Sequence, residues 1–113
     1  MDLVALVYQT TRSFPGEERF GLTSQLQRAA VSIPSNIAEG HGRKATRAYL
    51  HHVSIANGSL MELETQIHIA KRLGYVDGAR ADLLLGMADE IGKMMAGLQK
   101  SLNPQSSIPD PEP

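Results

Sequence analysis

The chain has 113 residues, 42% of them apolar, which is enough for one domain with one packed core. It contains no cysteine, so a disulfide scaffold, a thiolate metal site and thiol catalysis are all excluded. The formal net charge of −1 gives no general attraction to nucleic acid or to membranes.

The first two predicted helices span about residues 3–13 and 22–39. The sequence Phe14-Pro15-Gly16 ends the first helix, because the residue before a proline avoids the helical conformation. In the second helix an apolar stripe and a polar stripe both continue past Pro34, so we expect one helix with a kink at the proline. Ser24 with Gln27, or Thr23, is the expected N-terminal cap.

The third predicted helix covers about residues 46–72 and has the most regular pattern. Its apolar residues alternate at intervals of four and three, which is typical of the seam between packed helices. They are Tyr49, Val53, Ala56, Leu60, Leu63, Ile67 and Ala70. Gly74 is the expected left-handed residue beyond the end of this helix.

The fourth predicted helix covers about residues 77–102, with Asp77 as its N-cap. Its apolar stripe comprises Leu84, Met87, Ile91, Met94 and Leu98. Short connections make successive helices antiparallel neighbours, so residues 1–103 are predicted to form an all-α, up-and-down four-helix bundle. Residues 104–113 contain four prolines and are predicted to be a disordered tail.

The segment LTSQLQRAAVSIPSNIAEG, residues 22–40, resembles the signature of the bacterial four-helix-bundle proteins. These are also called 23S rRNA intervening-sequence proteins, because some are encoded within insertions in ribosomal RNA genes. Residues 42–43, 55–66 and 73–75 fit the same pattern, so the resemblance covers about residues 14–102.

The resemblance implies a bundle that assembles as a ring-like homopentamer. Relatives include the accessory protein of diversity-generating retroelements, a strongly basic pentamer that binds nucleic acid and a reverse transcriptase. Two departures are evident. Relatives often open the third helix with a Ser-x-x-Glu capping box, whereas this chain has Ala45 and Ala48 there, which leaves Thr46 as the expected cap. The near-neutral net charge also differs from that of the retroelement protein.

Three cations, Arg43, Lys44 and Arg47, lie within residues 41–52, which contain no acidic residue. We call these three the basic corner, between the second and third helices. One interpretation is a phosphate-binding patch for RNA or DNA, repeated around a ring and strengthened by avidity. The other is an ordinary solvated corner, since no aromatic residues interleave to stack on bases.

Polar residues also recur along one side of each of the two central helices. They are Arg28, Ser32, Asn36 and Glu39 on the second helix, and Ser59, Glu62 and Gln66 on the third. They form either a ligand pocket or a polar network, buried or between subunits, that fixes helix register.

No pattern of catalytic or cofactor-binding residues stands out. A bundle metal site needs Glu-x-x-His, but Glu64 and His68 are four residues apart. We therefore expect no metal, no cofactor and no small-molecule substrate. We also expect no membrane segment and a cytoplasmic location. The leading hypothesis is a non-catalytic homo-oligomeric scaffold or adaptor. A nucleic-acid-binding accessory module is the alternative, and a bundle enzyme is the third.

Overall fold

The computed structural model describes residues 2–102, which form four α-helices and no strand. The helices are α1 (Asp2–Thr11), α2 (Leu22–His41), α3 (Thr46–Arg72) and α4 (Gly78–Leu102), with a short 3₁₀ turn at Gly16–Glu18 before α2. Successive helices pack against each other, and α1 also packs against α4. The chain is therefore a four-helix bundle, as the short connections predict. The tail predicted for residues 104–113 lies outside the described residues.

The core is aliphatic and centres on α3. The seam residues of α3 from Val53 to Ala70 are all buried, and Tyr49 at the start of the seam is half-buried. Leu26, Ala30 and Ile33 of α2 meet this seam. Burying an aliphatic side chain contributes roughly 1.5–3 kcal/mol, so the large aliphatic residues of this seam stabilise the bundle.

The apolar stripe predicted for α4 is partly wrong. Leu84 is buried, but Met94 is 73% exposed, and its neighbour Met95 is buried instead. The other buried residues of α4 are Ala81 and Ala88. Alanine allows α4 to pack closely, and the buried face is therefore set by small residues that a count of large apolar side chains overlooks.

Two predicted N-caps are also wrong. The residue preceding α2 is Gly21, and the Leu22 N–H donates to Oε1 of Glu18 at 3.1 Å, so neither Thr23 nor Ser24 caps the helix. Glu18 thus satisfies one of the free N–H groups at the start of α2 from the 3₁₀ turn. Ala45 precedes α3 without a side-chain cap, because the helix already includes Thr46.

The turn between α3 and α4 follows the prediction. Gly74 has a φ of 81°, in the left-handed region, and the Tyr75 N–H donates to the Ala70 carbonyl at 2.9 Å. Asp77 Oδ1 accepts the Arg80 N–H at 2.7 Å, which confirms the predicted cap of α4. The Tyr75 hydroxyl donates to Glu18 at 2.9 Å, and this bond, with partial burial and the charges of Glu18 and Glu17, raises the pKa of Tyr75.

The first helix is much shorter than its neighbours. It ends at Thr11, two residues before the predicted end, and is about 15 Å long, against about 30 Å for α2. An apolar groove of about 830 Å³ therefore lies between α2 and α4 beyond the start of α1. Ile37, Met87, Ile91 and Leu98 are among its lining residues. None of the helices within residues 2–102 is long and apolar enough to cross a membrane.

Candidate functional site

A chain of hydrogen bonds joins α2 to α3 on one flank of the bundle. Asn36 Nδ2 donates to Ser32 Oγ at 3.0 Å, and the hydroxyls of Ser32 and Ser59 are bonded at 2.8 Å. Asn36 Oδ1 accepts a hydrogen bond from Nδ1–H of His52 at 3.1 Å. The polar stripes of the two helices therefore face each other, and their contacts set how the helices are aligned.

The same flank contains a groove of about 380 Å³, which we call the α2/α3 groove. It is lined by Gln25, Arg28, Ala29 and Ser32 of α2 and by Ser59, Glu62 and Gln66 of α3. Gln66 is only 9% exposed, and its buried Oε1 accepts no hydrogen bond within the described residues. Arg28 and Glu62 are exposed at the groove, and neither forms an ion pair within residues 2–102.

Most of the predicted polar residues come together here. Five of the seven line the groove, and Asn36 is bonded to one of them. Glu39 is the exception, because its carboxylate pairs with Arg43 at 2.8 Å near the end of α2. Gln25 and His52 also belong to this flank, although the polar stripes predicted from the sequence do not include them. Each lies seven residues before a serine of the bonded pair, and this heptad spacing could have identified both.

At the basic corner, one of the three cations has an ion-pair partner within residues 2–102 and two have none. Arg43 pairs with Glu39, whereas Lys44 and Arg47 are exposed and form no ion pair within the described range. Both side chains of the Arg43–Glu39 pair are about half exposed, so Arg43 can readily exchange Glu39 for another anion. Nearby, Nδ1 of His41 lies 3.3 Å from the Tyr49 hydroxyl, and this contact ties the end of α2 to the start of α3.

The comparisons with known proteins agree with this architecture. Among solved structures, the fold is similar to a protein with unknown function of the S23 ribosomal protein family from Bacteroides thetaiotaomicron VPI-5482. The TM-score is 0.76 and the sequence identity 20%, and the similarity covers 86% of this chain and 88% of that chain, so it concerns the fold alone. No curated protein matches the chain. A family model described as 23S rRNA-intervening sequence protein matches residues 1–97. The chain therefore belongs to the 23S rRNA-intervening sequence protein family.

Proposed function

We propose that this protein is a non-catalytic, cytoplasmic scaffold or adaptor that acts as a homo-oligomer, with five copies closed into a ring. The observation that supports it is a row of exposed apolar side chains on α3. Ile55, Ile69 and Leu73 are 40%, 44% and 53% exposed. Burying such a row against another copy removes apolar surface from water, which is the main driving force for association.

The row lies beside the α2/α3 groove. Ile55, Glu62 and Ile69 are spaced seven residues apart on one helix, so they lie along nearly the same line on its surface. Glu62 also lines the groove. Apolar side chains and a polar groove thus form one continuous flank of the bundle. A protein surface with an apolar part and a polar part is typical of a subunit interface. The ring of five is what the resemblance to the family implies.

A charge placed in this row tests the proposal. We expect Ile55→Glu to convert the oligomer to single subunits, because association would have to bury an unpaired carboxylate. Met61→Glu is the matched control, since Met61 is also exposed on α3 but lies about 120° around the helix from Ile55. Light scattering coupled to size-exclusion chromatography gives the mass of each variant. If Ile55→Glu keeps the mass of the unmutated oligomer, the flank is not the interface.

A second candidate function is the binding of nucleic acid at the basic corner. The observation in its favour is the exposure of Lys44 and Arg47 without an ion pair in the described part of the chain. A ring of five would present about ten such cations, so that weak phosphate contacts act together. The contacts would be to phosphates, which position a nucleic acid without reading its sequence.

We expect the double change Lys44→Glu and Arg47→Glu to abolish binding to a labelled single strand or duplex. In the unmutated protein, the affinity should fall with salt by a logarithmic slope of about −0.9 for each duplex phosphate contacted. The matched control is Arg12→Glu with Arg19→Glu, an equal change of charge at exposed residues between α1 and α2. Fluorescence anisotropy measures both. No binding by the unmutated protein at about 50 mM salt would exclude this function.

A further inference from the structure

The strongest unassigned feature of the molecule is the apolar groove of about 830 Å³ between α2 and α4, which we call the α2/α4 groove. Met94 lines it and is 73% exposed, and the lining residues Ile37 and Ile91 are only partly buried. The short α1 leaves these faces of α2 and α4 uncovered. Keeping a contiguous apolar surface in water is unfavourable, and such surfaces mark places where another segment or molecule binds.

One end of this groove lies at the basic corner. His41 and Tyr49 both line the groove, and their rings pack edge to face with centroids 5.7 Å apart. Lys44 follows His41 by three residues, and Arg47 precedes Tyr49 by two. Both cations are exposed and form no ion pair within residues 2–102. An occupant with an apolar part followed by an acidic part therefore matches this end of the groove.

The two carboxylates that line the groove lie away from the basic corner. Asp2 is at the start of α1, on the opposite side of the groove from the corner. Glu90 is eight residues before the lining residue Leu98, which places it about 12 Å back along α4. Neither carboxylate therefore repels an acidic group bound at the corner.

The C-terminal segment of the chain, residues 103–113, has the chemistry that this end of the groove matches. Ile108 is its one large aliphatic residue, and its charged side chains are Asp110 and Glu112, which we call the acidic pair. Four prolines prevent the segment from forming a helix. Extended proline-rich segments bind to grooves lined by aromatic rings, and His41 and Tyr49 supply such rings here.

The segment begins beside the groove and is long enough to enter it. It follows Leu102, the last residue of α4, so Ile108 reaches about 20 Å from there at about 3.3 Å for each extended residue. The α4 side of the groove, from Met87 to Leu98, is about 17 Å long. A short tether of this kind holds Ile108 near the groove at an effective concentration in the millimolar range. A second copy or another protein must bind from solution, without this advantage.

We propose that the C-terminal segment of the chain occupies its own α2/α4 groove, with Ile108 beside Tyr49 and the acidic pair facing the basic corner. Burial of Ile108 supplies the attraction. The exposed charges contribute less and mainly set the direction in which the segment lies. The segment then covers Lys44 and Arg47, so an anion from outside the chain has to displace it. This inference goes beyond both proposed functions and does not depend on the number of copies.

The experiment is methyl nuclear magnetic resonance of the full chain, labelled at the isoleucine and methionine methyl groups. We expect nuclear Overhauser contacts from the Ile108 methyl to Met94 and to the Tyr49 ring. Reversing the basic corner with Lys44→Glu and Arg47→Glu should remove these contacts, because the acidic pair is then repelled. Adding Asp110→Lys and Glu112→Lys to that variant should restore them. Arg12→Glu with Arg19→Glu is the control, an equal change of charge at exposed residues between α1 and α2, and should leave the contacts intact.

Three results would overturn the proposal. An Ile108 methyl that makes no contact with the groove in the unmutated protein shows that the segment is not bound there. If the groove methyls then shift with protein concentration, a second copy is the occupant, and if they do not, the groove is open to another partner. Loss of the contacts in the control variant as well, or no rescue by the reversed acidic pair, would show that the basic corner does not direct the segment.

Discussion

Replacing Leu63 by alanine should lower the free energy of unfolding by roughly 2–5 kcal/mol. Leu63 lies in the middle of the α3 seam and is 0% exposed. The substitution removes apolar atoms from the core and leaves a cavity. The long helices packed against α3 do not move enough to fill it. Chemical denaturation, measured at a fixed protein concentration so that assembly contributes equally, gives the difference.

The matched control for this prediction is Leu83→Ala on α4. Leu83 is 51% exposed, so the same substitution removes little buried surface and should cost well under 1 kcal/mol. Equal losses for the two variants would contradict the assignment of the α3 seam to the core.

Replacing Gly40 by alanine should also destabilise the protein, although alanine is the better helix former. A Cβ at position 40 would lie 2.8 Å from the Cβ of His52 and 3.1 Å from Cδ1 of Tyr49. The His52 Cβ is fixed to its backbone, so α2 and α3 must move apart. Alanine gains about 1 kcal/mol of helix propensity, and the overpacking costs up to roughly 3 kcal/mol, so we expect a net loss of about 1–2 kcal/mol.

Gly97→Ala is expected to change the stability in the opposite direction. Gly97 lies within α4, is exposed, and has no atom within 4 Å of an added Cβ. There the helix propensity acts alone and should raise stability by roughly 0.5–1 kcal/mol. Thermal unfolding of both variants checks the pair. A gain in stability for Gly40→Ala would show that the ends of α2 and α3 are not tightly packed.

The seam of α3 could be predicted from the sequence because its spacing is regular and its residues are large. Intervals of four and three from Tyr49 to Ala70 leave one face for the core, and that face is the one buried. In α4 the same spacing predicts that Met94 is buried, whereas Met95 is the buried residue. Both residues are apolar, so their own chemistry does not decide which one is buried. The difference lies in the small residues Ala81 and Ala88, which lie on the same buried face of α4 as Met95. A stripe of alanines carries a weak hydrophobic signal, so spacing alone does not reveal it.

The caps show a second limit. Asp77 was predictable because a capping side chain acts within its own turn. The cap of α2 was not, because Glu18 reaches the Leu22 N–H from outside the helix, and that depends on how the 3₁₀ turn folds back. Local rules identify local partners, and a cap supplied from another element requires the structure.

In the candidate site, too, some features could be predicted from the sequence and others could not. Helical spacing places Ser32 on the polar side of α2 and Ser59 on the polar side of α3, and in the structure their hydroxyls are hydrogen-bonded to each other. Nothing in the spacing shows that Glu39 pairs with Arg43, or that Gln66 Oε1 has no donor among residues 2–102. An unsatisfied acceptor is a property of three-dimensional neighbours, so only the folded chain can show it.

The mass of the unmutated protein in solution shows whether five copies assemble. Native mass spectrometry at micromolar concentration resolves one copy from several without any substitution. For a ring of five chains of 12.3 kDa, we expect a species of about 62 kDa. A spectrum that contains only the 12.3 kDa chain at every concentration would contradict it.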